Sequence, residues 1–220
     1  MSRTLTRLRA LGAVGLGVVA LVAGTLTVAP TASGASCSTV EVIFARGSGE
    51  LPGLGIVGQP FVTAIRSGLA GQSVSSYAVN YAAALDQSSA GAGATDMTNR
   101  VRSVAAQCPN TSFVLGGYSQ GASVTDISIG IRTMLGTGQT IPANLSSRVK
   151  AVVVFGNPLR LYGQTIRTAS PTYGSRAMDI CNSGDPVCGA GYNMMAHLMY
   201  QSNGSTTRGA QFAVSRVRAG

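Results

Sequence analysis

Residues 149–155, Val-Lys-Ala-Val-Val-Val-Phe, are apolar at every position but Lys150 and stop at Gly156-Asn157-Pro158. A run of this kind, with no two-residue alternation, is expected of a strand buried on both faces. Such strands belong to parallel sheets covered by helices above and below. The rest of the chain meets that demand. Further strands are expected at 40–45, 74–81, 113–116 and 176–180, each closed by a Gly-, Pro- or polar-rich segment. Helices are expected at 61–69, 95–107, 120–135 and 208–217. Strands alternating with helices define an α/β sandwich, in which functional groups collect in loops beyond the carboxyl ends of the strands. Ser48, Ser119, Asp185 and His197 all fall there.

The first 35 residues read as an export signal. Arg3, Arg7 and Arg9 precede an uncharged stretch over 10–29, and the small-residue site Ser33-Gly34-Ala35 follows. A retained membrane anchor is the rival reading. It is disfavoured by Gly12, Gly15, Gly17 and Gly24 within the stretch, by Pro30, and by the lack of a positive cluster after it. Cleavage near Ala35 is expected to leave about residues 36–220, a length suited to one domain with its own core.

Removing the signal lowers the formal charge from +9 to +6, since three of the sixteen basic residues lie within it and none of the seven acidic ones does. The remaining Lys and Arg are scattered singly, whereas a nucleic-acid binder would gather them along one face. All four cysteines, Cys37, Cys108, Cys181 and Cys188, lie in the mature part, and an even count in an exported chain suggests two disulfides. Of the three possible pairings, Cys181 with Cys188 clips one short loop and leaves Cys37 for Cys108. With one histidine and no C-x-x-C pair, zinc is a poor fit.

Gly117-Tyr118-Ser119-Gln120-Gly121 matches G-x-S-x-G between an expected strand and an expected helix, the context of a nucleophile elbow. The glycines let strand and helix approach while the strained serine projects its hydroxyl. A serine hydroxyl needs a base, and His197 is the sole histidine, C-terminal to the elbow. Activity is expected to fall as that imidazole protonates. The orienting acid must lie between the two, which leaves Asp126, Asp179 and Asp185. Asp126 is expected to be a solvated residue of the helix after the elbow, and Asp179 to lie within the short fifth strand. Asp185 sits in the loop Cys181-Asn182-Ser183-Gly184-Asp185-Pro186-Val187-Cys188, where a disulfide would hold its carboxylate, and is favoured. The oxyanion requires two preorganised donors. The backbone N–H of Gln120 is one, and Ser48, in Arg46-Gly47-Ser48-Gly49-Glu50 after the first strand, is the candidate second. A plain Gly/Ser turn describes that loop equally well.

Ala-Arg-Gly-Ser-Gly-Glu at 45–50, the elbow at 117–121, and the cysteine loop at 181–188 followed by His197-Leu198 together resemble the cutinase family, and most of all the cutinase-like proteins of mycobacteria and related actinobacteria. The likeness runs through the whole mature chain. It implies Ser119, Asp185 and His197 as a catalytic triad, and Ser48 with Gln120 as the oxyanion hole. It also implies disulfides 37–108 and 181–188, and a three-layer sandwich around a five-stranded parallel sheet with an exposed, largely lidless site. Gly49 stands where many fungal members carry threonine, and Pro186 lies within the acid loop. The family's apolar lips would fall near 81–85 and 189–195.

The activity expected is that of a secreted serine esterase on short to medium acyl esters, with polyesters, lipids and phospholipids within reach of an open site. No cofactor, metal or nucleic acid is expected. A monomer is expected, with peripheral association to an envelope or lipid surface compatible with its charge. Two rivals stand: deacetylation of a polysaccharide such as xylan, and a weakly catalytic envelope-binding protein. Gly53-Leu54-Gly55-Ile56-Val57-Gly58 is a literal G-x-G-x-x-G, but it starts eight residues past the strand and lacks the later acidic residue of a dinucleotide site. The N-x-S/T sequons at Asn110, Asn144 and Asn203 are taken as incidental.

Overall fold

The computed structural model describes residues 37–220; the expected export signal and its cleavage site lie outside the described residues. Five parallel strands form one sheet: β1 (Val40–Ala45), β2 (Val74–Ala78), β3 (Ser112–Tyr118), β4 (Val149–Phe155) and β5 (Ala177–Ile180), in the order β2-β1-β3-β4-β5. The helices are α1 (Gly55–Gly68), α2 (Ala90–Gln107), α3 (Gln120–Ser128), α4 (Ile166–Ala169), α5 (Met194–Leu198) and α6 (Ser205–Arg218).

The continuous apolar character of β4 follows from two cores drawing on alternate residues. Val152 and Val154 join Ile43, Leu115, Met97 and Val101 on the face covered by α2 and α3. Ala151, Val153 and Phe155 join Phe44, Phe61, Ile65 and Val214 on the face covered by α1 and α6. Phe44, Phe61 and Phe155 pack edge to face or tilted, with centroids 5.5–6.3 Å apart, and burying each ring contributes about 1.5–3 kcal/mol. The one acidic residue of β1, Glu41, is buried and paired with Arg100 of α2 at 2.5 Å.

After β1 the chain moves out to β2 and then returns to the other side of β1 for β3. The order therefore reverses between β1 and β3, and the crevice beyond their carboxyl ends is the place such sheets offer for a ligand. Both ends carry expected site residues, Ser48 after β1 and Ser119 after β3.

Several boundaries depart from the sequence-based expectation. The helix expected over 120–135 stops at Ser128, because Gly130 takes a left-handed φ of +86° and its N–H bonds back to Ile127, so the chain turns away. The helix expected from 95 begins at Ala90, its first turn hidden in a Gly/Ala-rich stretch. The G-x-G-x-x-G segment enters α1, where Gly58 packs flat on the Phe44 ring. Of its three glycines, Gly58 serves helix-on-sheet packing, while Gly53 and Gly55 take positive φ where the chain enters the helix.

Candidate active site

Ser119 follows β3 and caps α3 with φ +55° and ψ −119°, a conformation that costs a non-glycine residue about 1–3 kcal/mol. The surroundings enforce it. A Cβ on Gly117 would run into the Gly121 carbonyl, and one on Gly121 into that of Ala45, so only glycine on both sides lets strand, turn and helix pack this closely. The Ser119 N–H is held by the Phe155 carbonyl at 2.9 Å, which ties the turn to the end of β4.

His197 is buried within the short helix α5, where the sequence suggested a loop, and its Nδ1 lies 2.8 Å from Asp185 Oδ2. That contact leaves Nε2 as the imidazole nitrogen free to take a proton. Ser119 and His197 line the same open cleft, together with Ser48, Leu85, Gln87 and Met194. Among the described residues the Ser119 hydroxyl makes no side-chain hydrogen bond, to His197 or to any other group. Gly156, at φ +58°, backs the imidazole so tightly that a Cβ there would sit 2.7 Å from Cε1.

Asp185 is fully buried, which by itself would raise its pKa. It is nevertheless held below the ordinary carboxylate value by hydrogen bonds from His197, from the Tyr200 hydroxyl at 2.5 Å and from the Val187 N–H at 2.7 Å. The carboxylate therefore stays charged where it can favour one imidazole tautomer. The Cys181–Cys188 disulfide encloses its loop, and a second joins Cys37 to Cys108. On chain-entropy grounds, closing sequence separations of 7 and 71 residues contributes about 2.5 and 4 kcal/mol respectively. Cys181, Asp185 and Cys188 lie together, but both sulfurs are in the disulfide and no thiolate remains to bind a metal.

Two tyrosines that the sequence analysis did not single out complete this side of the cleft. Tyr118 stacks on the His197 ring with centroids 4.9 Å apart and donates its hydroxyl to the His197 carbonyl at 2.8 Å. Tyr200 packs edge-on to both rings while bonding Asp185. Burial, and for Tyr200 the bond to Asp185, keeps both phenols protonated far above the usual range. Tyr118 sits inside the G-x-S-x-G pattern and Tyr200 lies three residues past the lone histidine; adjacency was the only signal for either.

On the opposite side, the loop after β1 is more than a Gly/Ser turn. The buried Arg46 donates to the carbonyls of Glu50 and Tyr81 at 2.8 Å, lies 5.0 Å over the Tyr81 ring, and receives the Tyr81 hydroxyl on its own carbonyl. The Glu50 carboxylate accepts the N–H groups of Gly47 and Ile56. These bonds brace the loop that presents Ser48 at the cleft. Gln120 opens α3, so its N–H is one of the first-turn donors that no carbonyl of the helix can satisfy.

Asp126 corrects the sequence reading. Expected on a solvated helix face, it is fully buried, because α3 is enclosed on all sides. Its pKa is pushed well up by that burial and by nearby Asp179, only partly offset by the Asn157 amide. Asn157 Nδ2 bridges Asp126 at 3.3 Å and Asp179 at 2.9 Å, and the Ile166 N–H also reaches Asp179. Asp179 lies within β5 as expected, and neither carboxylate touches His197.

A sequence profile of the Cutinase family matches residues 36–217. A protein named Cutinase from Kineococcus radiotolerans is 60% identical over 187 residues, covering 84% of this chain and 64% of that protein. This chain thus spans less than two thirds of that relative's length. Probable carboxylesterase Culp3 of Mycobacterium tuberculosis is 42% identical over 224 residues, with 97% and 85% coverage. Among solved structures, an acetyl xylan esterase superposes with a TM-score of 0.72 at 25% identity, covering 83% of this chain and all of the other.

Proposed function

This chain belongs to the cutinase family of carboxylic ester hydrolases, and from that premise we propose that it is a secreted serine esterase forming an acyl-enzyme on Ser119. The observation that carries the reading is the strained Ser119 in a cleft it shares with His197, whose Nδ1 is paired with the buried Asp185.

In the first half-reaction the Ser119 hydroxyl attacks the ester carbon while His197 Nε2 takes its proton. Asp185 stabilises the resulting imidazolium and keeps Nδ1–H pointed at itself. The oxyanion is met by the Gln120 N–H at the positive end of α3 and by Ser48. His197 then returns the proton to the departing alcohol, and water repeats the sequence to free the acid. No cofactor enters these steps. Residues 36–220 would form the exported domain, acting as a monomer, and the two disulfides suit an oxidising compartment. Short to medium acyl esters are the proposed substrates, with association to a lipid or envelope surface through the exposed apolar side chains of Leu85, Met194 and Leu198 around the cleft.

Ser119→Ala is expected to abolish hydrolysis of butyrate esters and labelling by a fluorophosphonate probe. Retained turnover would sink the mechanism. An unlabelled Ser119 in the folded, unaltered chain would favour the envelope-binding rival. The resemblance to an acetyl xylan esterase keeps polysaccharide deacetylation as the second reading. Comparing acetylated xylan with butyrate and longer esters separates the two.

A further inference from the structure

Lys and Arg residues that stand singly in the sequence are gathered by the fold at one end of the sheet. Helices α1, α2 and α6 run back from the carboxyl ends of the strands, so their last turns lie at the amino ends, opposite Ser119. Arg66 lies in the last turn of α1, Arg102 in the last two turns of α2, and Arg216 and Arg218 in the last turn of α6. Arg148 and Lys150 flank the first residue of β4. Two of the helix ends meet, where Arg218 donates to the Gly68 carbonyl of α1 at 2.6 Å. Other guanidinium groups are steadied in a similar way: Arg66 by the Ser76 hydroxyl, Arg148 by the Thr111 carbonyl, Arg102 by the Gln139 amide and Arg216 over the Phe212 ring. None of these partners is a carboxylate, so the charges are positioned without being neutralised.

The catalytic end is built differently. Of the seven acidic residues, only Glu41 lies at the amino ends of the strands, and it is buried and paired with Arg100. Asp96 accepts the N–H of Asn80, past the end of β2, and the other five lie toward the carboxyl ends. Exposed large apolar side chains share that end, among them Leu51, Leu85, Leu161, Tyr162 and Met194. Among the described residues none is exposed at the cationic end. A surface with charge and no apolar side chains to insert suits a hydrated polyanion better than a bilayer. Guanidinium groups pair with phosphate oxygens through two N–H donors at once. A polymer with an anion in every repeat engages several cations together and sheds its counterions as it does so. We propose that the amino-terminal end of the sheet docks a linear phosphodiester polymer of the cell envelope, leaving the cleft turned away from that support toward its ester. The docking itself does not depend on the esterase reading; that the chain meets such a polymer rests on the export proposed above.

The test titrates the exported chain with lipid-free poly(glycerol phosphate). Binding is expected, with log K falling linearly as log salt rises between about 50 and 200 mM. Lys150→Gln and Arg216→Gln together are expected to weaken it at least about tenfold at the lower salt and to make the slope shallower by about 1–2. Arg216→Lys, which keeps the charge, should bind as the unaltered chain does. Arg132, beside the turn after β4, and Arg208, in the first turn of α6, are exposed toward the catalytic end. Arg132→Gln with Arg208→Gln removes the same net charge and is expected to cost less than about twofold, since salt screens charges at that distance. Equal losses from the two pairs would mean attraction by overall charge and would overturn the proposal, as would no binding by the unaltered chain. Tighter binding to phosphatidylglycerol vesicles through Lys150 and Arg216 would make a lipid headgroup the ligand and overturn the polymer assignment. Saturating polymer should leave hydrolysis of a soluble butyrate ester unchanged; inhibition would place the polymer at the cleft and sink the idea. A chain that binds the polymer yet hydrolyses no ester would defeat the esterase reading and leave the docking end standing.

Discussion

Asp185 and Asp126 are both fully buried carboxyl groups near the carboxyl ends of the strands, yet their environments drive them in opposite directions. Asp185 receives two side-chain donors and a backbone N–H and is held ionised. Asp126 receives one long bond from an amide it shares with Asp179, its Oδ2 has no partner among the described residues, and burial together with Asp179 pushes its pKa well up. Burial penalises the charge in both; the number of hydrogens aimed at the carboxylate decides whether the penalty is overcome. An acid that must stabilise an imidazolium has to be of the first kind.

The sharpest way to break this contrast is to make the same isosteric change at both positions. Asp185→Asn is expected to lower kcat by about 10³–10⁴-fold, because the amide can no longer hold the imidazole in the required tautomer. Asp126→Asn should leave kcat within a few-fold. Comparable losses at both, measured on a butyrate ester, would show that the buried pair takes part in the chemistry.

Tyr200→Phe tests whether donors, rather than burial, keep Asp185 charged. Losing one hydrogen bond to a charged group costs about 1.5–3 kcal/mol, and kcat is expected to fall about tenfold or more with little change in KM. Asp185 has a depressed folded pKa, so its contribution to stability is present above the unfolded value near 3.9 and is lost as pH falls through the folded value. With the Tyr200 donor gone the folded value rises, and acid unfolding of Tyr200→Phe should begin at higher pH than in the unaltered chain. Coincident acid transitions would refute the donor account.

The smallest effect is expected at Asp126. A raised folded pKa contributes stability that is full below about pH 3.9 and is lost as pH climbs toward the folded value. Asp126→Asn removes that loss, so it should raise Tm at pH 8 by about 2–4 °C, the shift expected for about 1 kcal/mol in a domain of this size, and by less at pH 4. A uniform shift at both pH values would mean that repacking, not ionisation, is responsible.

Patterns in contiguous residues were legible without coordinates. The strands at 40–45 and 149–155 were bounded correctly, because a mostly apolar run that stops at a glycine-containing turn, Arg46-Gly47 or Gly156-Asn157, admits few alternatives. The elbow around Ser119 was legible for a related reason: two carbonyls lie where Cβ atoms would be, which leaves glycine as the residue that fits at 117 and 121. His197 and Asp185 were singled out by enumeration and by the cysteine-bounded loop, and the fold sets them 2.8 Å apart. The end of α3 was missed although Gly130 marked it, because the apolar residues Ile129 and Ile131 continue the helical pattern across the turn.

What the sequence determined by itself, then, was the layered α/β architecture and the residue types its strand ends could offer to a reaction. The tertiary structure alone decided which distant groups tune them: Tyr200 on Asp185, Tyr118 against His197, Arg46 braced across Tyr81, and Asp126 sealed in the core. A residue's charge state and strain depend on the atoms that the fold brings to within about 4 Å of it, and chain neighbours alone do not specify which atoms those are.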